Sequence, residues 1–340
     1  MVASSPLNPR NILVYVGLDL VGDGLIKIPF VRALRETFPK AHITWMAGKG
    51  KSAFSSLLKP IVDPLLDTVI ENQKFGTGFK DLFKKQVTTH YDLIIDTQNG
   101  FLTALNLKKI PHTTFISSAF NFLLSDIKYT AGKLPTSLGE RLVAFVNMLR
   151  KRPLNTLPPL PISEEMKSEI NRLLPQNLLP YVGLVPGAGG KHKCWPLENF
   201  CELAQWLLTQ KTQPVFLIGP QEIDWIDSIK AKVPGALFPL QKESSFKYSP
   251  LLTIALGLRL KFVISNDCGT AHMLAVSNTP ILSLFGPTNS EKFAPSTKMV
   301  RVLTAQSFGG KEMLNIPLSA VQEESSHFLE HSSQQKGAFS

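Results

Sequence analysis

The run KFVISNDCGTAHM puts Asp267, Cys268, Gly269 and His272 within six residues, directly after an apolar stretch. A carboxylate, a thiol, a bare backbone and an imidazole in that order suit a turn that binds an anion. With Lys261–Ser265 as a strand and Ala271–Val276 as a helix, Asp267 lies at the strand's carboxyl end. The amides of Gly269 and Thr270 are then free for a phosphate. The same pattern also describes an ordinary strand–helix unit with a buried histidine. Three further segments repeat the theme. Gly187, Ala188 and Gly189 in PGAGGKHKCWP are small enough for backbone amides to approach an anion, and Lys193 adds a point charge suited to a diphosphate. Trp195, beside Pro196 at a helix start, suits a packing anchor better than a base-stacking ring. Glu222 in GPQE can accept hydrogen bonds from a ribose or adenine, or sit solvated at a helix start. Thr288 closes LFGPT after another apolar run. Four such loops after successive strands coincide by accident far less readily than one. In the first half, Asp23 follows Gly22 in GLDLVGDG, after the apolar run NILVYV. A helix N-cap is the ordinary role of Asp in that place; a general base would stand there too.

Strands and helices must alternate to position these residues. Asn11–Val16, Ala41–Ala47, Asp92–Asp96 and Thr113–Ile116 read as strands, with helices over Ile26–Phe38 and Leu138–Leu149. Pro29 is expected early in the first of these helices, where a missing N–H costs little. Phe120–Lys133 has no clear period and reads as a surface insertion, with an acceptor-facing loop as the alternative. Arg152–Pro161 holds four prolines in ten residues and reads as a linker. The alternation then restarts, with strands at Tyr181–Val185, Pro214–Ile218, Ala236–Leu240 and Ile281–Phe285. Helices are expected over Ser163–Leu174, Leu197–Thr209, Ile223–Lys230 and Pro250–Leu258. The pattern predicts two Rossmann-like, doubly wound α/β domains over residues 1–155 and 163–312, joined by a linker over 156–162. Residues 313–340 are expected to form a C-terminal helix and a tail, disordered after Phe328. The G-x-G-x-x-G fingerprint is missing, which disfavours a dinucleotide dehydrogenase.

Composition narrows the partners. With 340 residues, 44% hydrophobic and 18% charged, the chain reads as a globular protein with room for two cores. The N-terminus lacks the layout of a signal peptide, and no apolar run there approaches the roughly 20 residues of a membrane helix. Three cysteines without metal-ligand spacing fit a reducing cytoplasm. Met1–Leu160 carries 20 lysines and arginines against 11 acids, a surplus of nine, whereas the remainder has a surplus of one. A basic first half suggests an anionic partner, although runs such as Lys84-Lys85 are also ordinary solvated faces. No zinc spacing or aromatic-interleaved basic motif supports nucleic acid.

The segments PGAGGKHKCWPLENF, DCGTAH and LFGPTNSEKFAP resemble the C-terminal domain of glycosyltransferase family 9, the ADP-heptose:lipopolysaccharide heptosyltransferases. NILVYVGLDLVGDGLIKIPFVRALRETFP is similar to that family's N-terminal opening. The resemblance runs from Asn11 to Leu303, loosely over Phe120–Leu160. It implies a GT-B fold, two Rossmann-like domains facing across a cleft, with an ADP-sugar held by the second. It also implies an inverting transfer of heptose from ADP-heptose to the lipopolysaccharide inner core. Asp23 would be the catalytic base; Gly187, Ala188, Gly189, Lys193, Glu222, Asp267, Cys268, Gly269 and His272 would bind the donor. Cys268 departs from the family's Ser or Thr, and a thiol is the weaker donor.

The expected enzyme uses no cofactor and no metal, its nucleotide sugar being a substrate. Its acceptor would be an anionic lipid-linked saccharide at the cytoplasmic membrane face, and its place the cytoplasm, with peripheral attachment to the inner membrane. A different sugar or acceptor on the same fold, or a non-catalytic anion-binding relative, are the competing readings.

Overall fold

A computed structural model describes residues 7–73, 87–150, 153–154, 160, 162–247, 249–297 and 299–331. The Lys84-Lys85 run, most of the proline-rich linker and the last nine residues of the tail lie outside them. Contacts divide the chain into two units, Met1–Pro161 and Ile162–Ser340.

In the first unit, β1 (Asn11–Leu18) leads into α1 (Val21–Thr37), β2 (His42–Lys49), α2 (Lys59–Val62) and β3 (Thr68–Ile70). β4 (Tyr91–Asp96), α3 (Phe101–Leu107), β5 (His112–Ser117) and α4 (Leu138–Met148) follow. All pairs are parallel, in the order β3-β2-β1-β4-β5. The chain winds outward from β1 to β3, then crosses back to place β4 on the other side of β1. That reversal is the point at which open α/β sheets bind ligands.

Two expectations about α1 need correction. Asp23 is not its N-cap: the helix starts at Val21, the N-cap is Leu20, and no side chain caps it. The residues before Asp23 already wind, so it stands in the first helical turn. Pro29 lies well inside the helix, not at its start. It removes one bond of the i→i−4 ladder, and α1 continues through it because Gly24 to Leu34, apart from Ile26, is buried. The crossing with α4 is close, since a Cβ on Gly139 would sit 3.1 Å from the Ile26 carbonyl oxygen.

The carboxyl end of β4 carries a buried acid. Asp96 has no exposed surface and accepts from Gln98 N at 2.8 Å and Ser117 Oγ at 2.8 Å. Burial outweighs these bonds and raises its pKa to about 7. The folded state therefore keeps its proton up to about pH 7, while the unfolded chain loses it near pH 4. Between those limits the folded state binds more protons, so stability falls as pH rises and levels off above pH 7. Asp96→Asn removes this penalty. The variant should melt with the wild type near pH 4 and above it at pH 8, by at most about 4 kcal/mol. Equal melting curves at pH 8 would refute the assignment.

The second unit has α5 (Glu164–Leu173), β6 (Tyr181–Val185), α6 (Leu197–Thr209), β7 (Gln213–Phe216) and α7 (Ile226–Lys232). Then come α8 (Pro250–Gly257), β8 (Leu260–Asn266), α9 (Gly269–Val276), β9 (Ile281–Phe285), α10 (Ser290–Phe293), β10 (Val300–Thr304) and α11 (Leu318–His331). The parallel order is β10-β9-β8-β6-β7, with the reversal between β6 and β8. Alternate residues feed opposite cores. Phe262 and Ile264 pack with Phe200 of α6, Ile229 of α7 and Phe328 of α11, whereas Val263 packs with Ile170 of α5 and Leu252 of α8.

The strand expected at Ala236–Leu240 is a single bridge, Leu237 to Val215. Pro239 lacks the N–H a ladder needs, and a short 3-10 turn takes over at Pro239–Gln241. The helix α11 runs past Phe328 to His331, so Leu329–His331 are helical where a disordered tail was expected. Among the described residues no helix is long and apolar enough to cross a membrane.

Candidate active site

β9, β8, β6 and β7 are neighbours, so the four loops singled out by composition leave adjacent strand ends, roughly 4.8 Å apart. The structure brings their residues together. Lys193, in a short 3-10 turn after β6, reaches 3.1 Å from Asp267 Oδ2 at the end of β8. Thr288 Oγ1, after β9, donates to the same oxygen at 2.7 Å. The ammonium is thus held at the reversal between β6 and β8, with 28% of its side chain exposed to meet a ligand. Gly189 and Gly269 border open space, for a Cβ on either would meet nothing within 4 Å. α9 starts at Gly269, so its first-turn amides have no partner within the helix.

Gly187 has a more specific reason to be glycine. A Cβ there would lie 2.6 to 2.8 Å from the Glu222 carboxyl group, which packs against the bare backbone. Glu222 is buried, and burial raises its pKa above the ordinary carboxylate value. Ala188 is half-buried beside it. His272 lies one turn into α9; burial lowers its pKa below the usual imidazole value, opposed in part by Asp267. Its ring is neutral at pH 7 and has one donor and one acceptor nitrogen. Cys268 is the N-cap of α9 but makes no capping bond, and its Sγ lies 3.5 Å from Ser265 Oγ.

Trp195 is the packing anchor: it is 1% exposed, stacks edge-on with Phe200 and donates Nε1–H to the Ile316 carbonyl at 2.9 Å. Asn266 was legible in the sequence only as a turn former, yet it fastens the glycine loop. Fully buried, it accepts from Trp195 N at 3.1 Å and donates to the Pro186 carbonyl at 2.7 Å, clamping both ends of Pro186–Trp195 to β8. Asn266→Ala leaves an N–H and a carbonyl buried without partners. It should cost about 2–4 kcal/mol in urea unfolding and weaken ADP binding. A variant as stable as the wild type would refute the clamp.

In the first unit, Asp23 is half-buried at the start of α1. Among the described residues its carboxylate has no hydrogen bond or ion pair. Beside it, Gly22 borders open space. The turn that carries it is fixed from below by Asp19, which is fully buried. Asp19 pairs with Lys27 Nζ at 3.2 Å and accepts from Trp45 Nε1 at 2.9 Å and from Ser52 Oγ. Ala53 N bonds the Asp19 carbonyl, so β1, α1 and the loop after β2 are tied at one point. Nothing in the sequence alone marks Asp19 and Lys27 as partners.

Two parallel-sheet, Rossmann-like units with their reactive loops at the carboxyl ends of the strands define a GT-B fold. A glycosyl transferase family 9 protein from Veillonella parvula DSM 2008 superposes with a TM-score of 0.67 at 19% identity, covering 96% of this chain and 98% of that one. An Escherichia coli heptosyltransferase solved with ADP superposes at 0.64 with 18% identity, covering 94% and 99%. The profile of Glycosyltransferase family 9 (heptosyltransferase) matches residues 81–314, and the chain belongs to that family. It is similar to lipooligosaccharide heptosyltransferase 2 of Haemophilus influenzae, at 24% identity over 308 residues, 86% of this chain and 88% of that protein.

Proposed function

We propose that this glycosyltransferase moves a heptose from ADP-heptose to the lipopolysaccharide inner core, with inversion at the anomeric carbon. The observation that carries the reading is the Lys193 ammonium, held by Asp267 at the reversal of the second sheet beside open glycine backbone. That is a seat for a diphosphate, and the similar Escherichia coli structure contains ADP. Similarity to lipooligosaccharide heptosyltransferase 2 supports heptose as the sugar and the lipopolysaccharide core as the acceptor.

In this reading the acceptor oxygen attacks the anomeric carbon while the bond from that carbon to the phosphate oxygen breaks. ADP leaves with the bonding pair, and the hydroxyl proton passes to Asp23. One displacement inverts the configuration. The diphosphate gains charge as it leaves, which Lys193 and the amides at the start of α9 offset. Glu222 and neutral His272 are the remaining polar groups for the donor, and the reading requires no metal.

Calorimetry with ADP and then ADP-heptose, followed by NMR of the product's anomeric signal, tests it. ADP should bind and the product should have the configuration opposite to the donor. Retention, or no affinity for ADP, would sink the reading. Cys268, in place of a hydroxyl, favours a second version with another sugar on the same donor site; product masses from a panel of nucleotide sugars separate the two.

A further inference from the structure

Phe120, Asn121 and Phe122, just after β5, have φ angles of 47°, 52° and 63°. Three successive non-glycine residues in the left-handed region persist only where the surroundings over-determine them. Here they do. Phe122 is buried with its ring edge-on to Phe145. Ser125 Oγ bonds the Ile127 carbonyl at 2.7 Å, and Asp126 Oδ2 accepts from Phe115 N at 2.7 Å. Lys108 Nζ bonds the Leu124 carbonyl at 2.7 Å.

This pinned loop holds large apolar side chains in solvent. Phe120 is 67% exposed and Leu123 65%. Phe120 meets the ring of Phe101 at 5.0 Å, and Leu102, next to Phe101, is itself exposed. Lys128 and Lys133 follow in the same loop and are exposed as well. Residues 97–150 carry six lysines and arginines against two acids, one of which pairs with Lys108. A few protruding apolar groups fall well short of the roughly 800 Å² per partner that a stable protein interface buries. With Lys128 and Lys133 exposed in the same loop, they meet the needs of reversible attachment to an anionic lipid surface.

We propose that the Phe120–Leu123 loop is a bilayer contact site: both side chains enter the boundary between headgroups and acyl chains, and Lys128 and Lys133 lie over anionic headgroups. The loop leaves the carboxyl edge of the sheet that carries Asp23. β5 is two strands from β1, roughly 10 Å along the sheet. If the transfer reading holds, a lipid-borne acceptor is thereby brought to the edge where its hydroxyl is needed. The lipid contact itself does not depend on that reading.

Flotation of the full chain with vesicles needs neither donor nor acceptor, so its failure leaves the transfer reading standing. The wild type should float with equimolar phosphatidylglycerol/phosphatidylcholine vesicles and remain behind with pure phosphatidylcholine. Phe120→Ser/Leu123→Ser should lower the partition coefficient by about tenfold or more. Lys128→Glu/Lys133→Glu should also lower it, and the difference should shrink at high salt. Leu123→Ser alone, with an unchanged melting temperature, guards against loss of folding. Wild type that fails to float, or a double serine variant that floats like wild type, overturns the proposal. So does a concentration-dependent dimer that the serine variant dissolves, which would assign the loop to a second copy of the chain.

Discussion

Asp23→Asn should lower transfer by about 10²–10⁴-fold while ADP binds as it does to the wild type. The amide keeps the size and hydrogen-bonding reach of the carboxylate but cannot take a proton. Three observations make Asp23 the group to change. Its carboxylate has no partner among the described residues, its neighbour Gly22 borders open space, and the turn beneath it is fixed by the buried Asp19–Lys27 pair. Single-turnover assays measure the chemical step, and calorimetry with ADP shows whether the donor unit is intact. Wild-type transfer rates in the asparagine variant would end the assignment. Loss of ADP binding along with transfer would point to damaged folding instead.

Lys193→Met should lower kcat by about 10²–10³-fold and weaken ADP binding, while leaving adenosine binding unchanged. Methionine preserves most of the side-chain length and removes only the charge. Asp267 then keeps its bond from Thr288 Oγ1 and loses the ammonium. Adenosine has no phosphates, so its affinity separates a lost charge from a collapsed pocket. Unchanged ADP affinity would show that the ammonium does not meet the diphosphate.

The sequence exposed the second unit better than the first for a physical reason. Its inner strands β6, β8 and β9 are buried along nearly their whole length, so each is a short apolar run followed by Pro, Asp or Gly. Tyr181–Val185 and Ile281–Phe285 were bounded to the residue. The edge strands β3 and β10 escaped notice, since Thr68–Ile70 is only three residues long and Val300–Thr304 is partly exposed. Ala236–Leu240 has the apolar content of a strand, but a ladder needs donors, and Pro239 has none. Asp23 looked like a cap because caps are read from residue type, whereas the start of α1 is set by the burial of its next ten residues. The residues proposed to hold the donor were visible as types. Their pairing was not, because Lys193 and Asp267 lie 74 positions apart and meet only when β6 and β8 are neighbours. The Asn266 clamp and the Asp19–Lys27 pair escaped for the same reason.

Two of the three cysteines stand among the donor loops, and burial pushes both the Cys194 and the Cys268 thiols above their ordinary pKa. At neutral pH they are protonated, and a protonated sulfur is a poor nucleophile. If these loops hold the nucleotide as proposed, an inhibitor carrying a mild electrophile would link to either sulfur only slowly. Selectivity against this enzyme would have to come from reversible contacts with the ammonium and the glycine backbone.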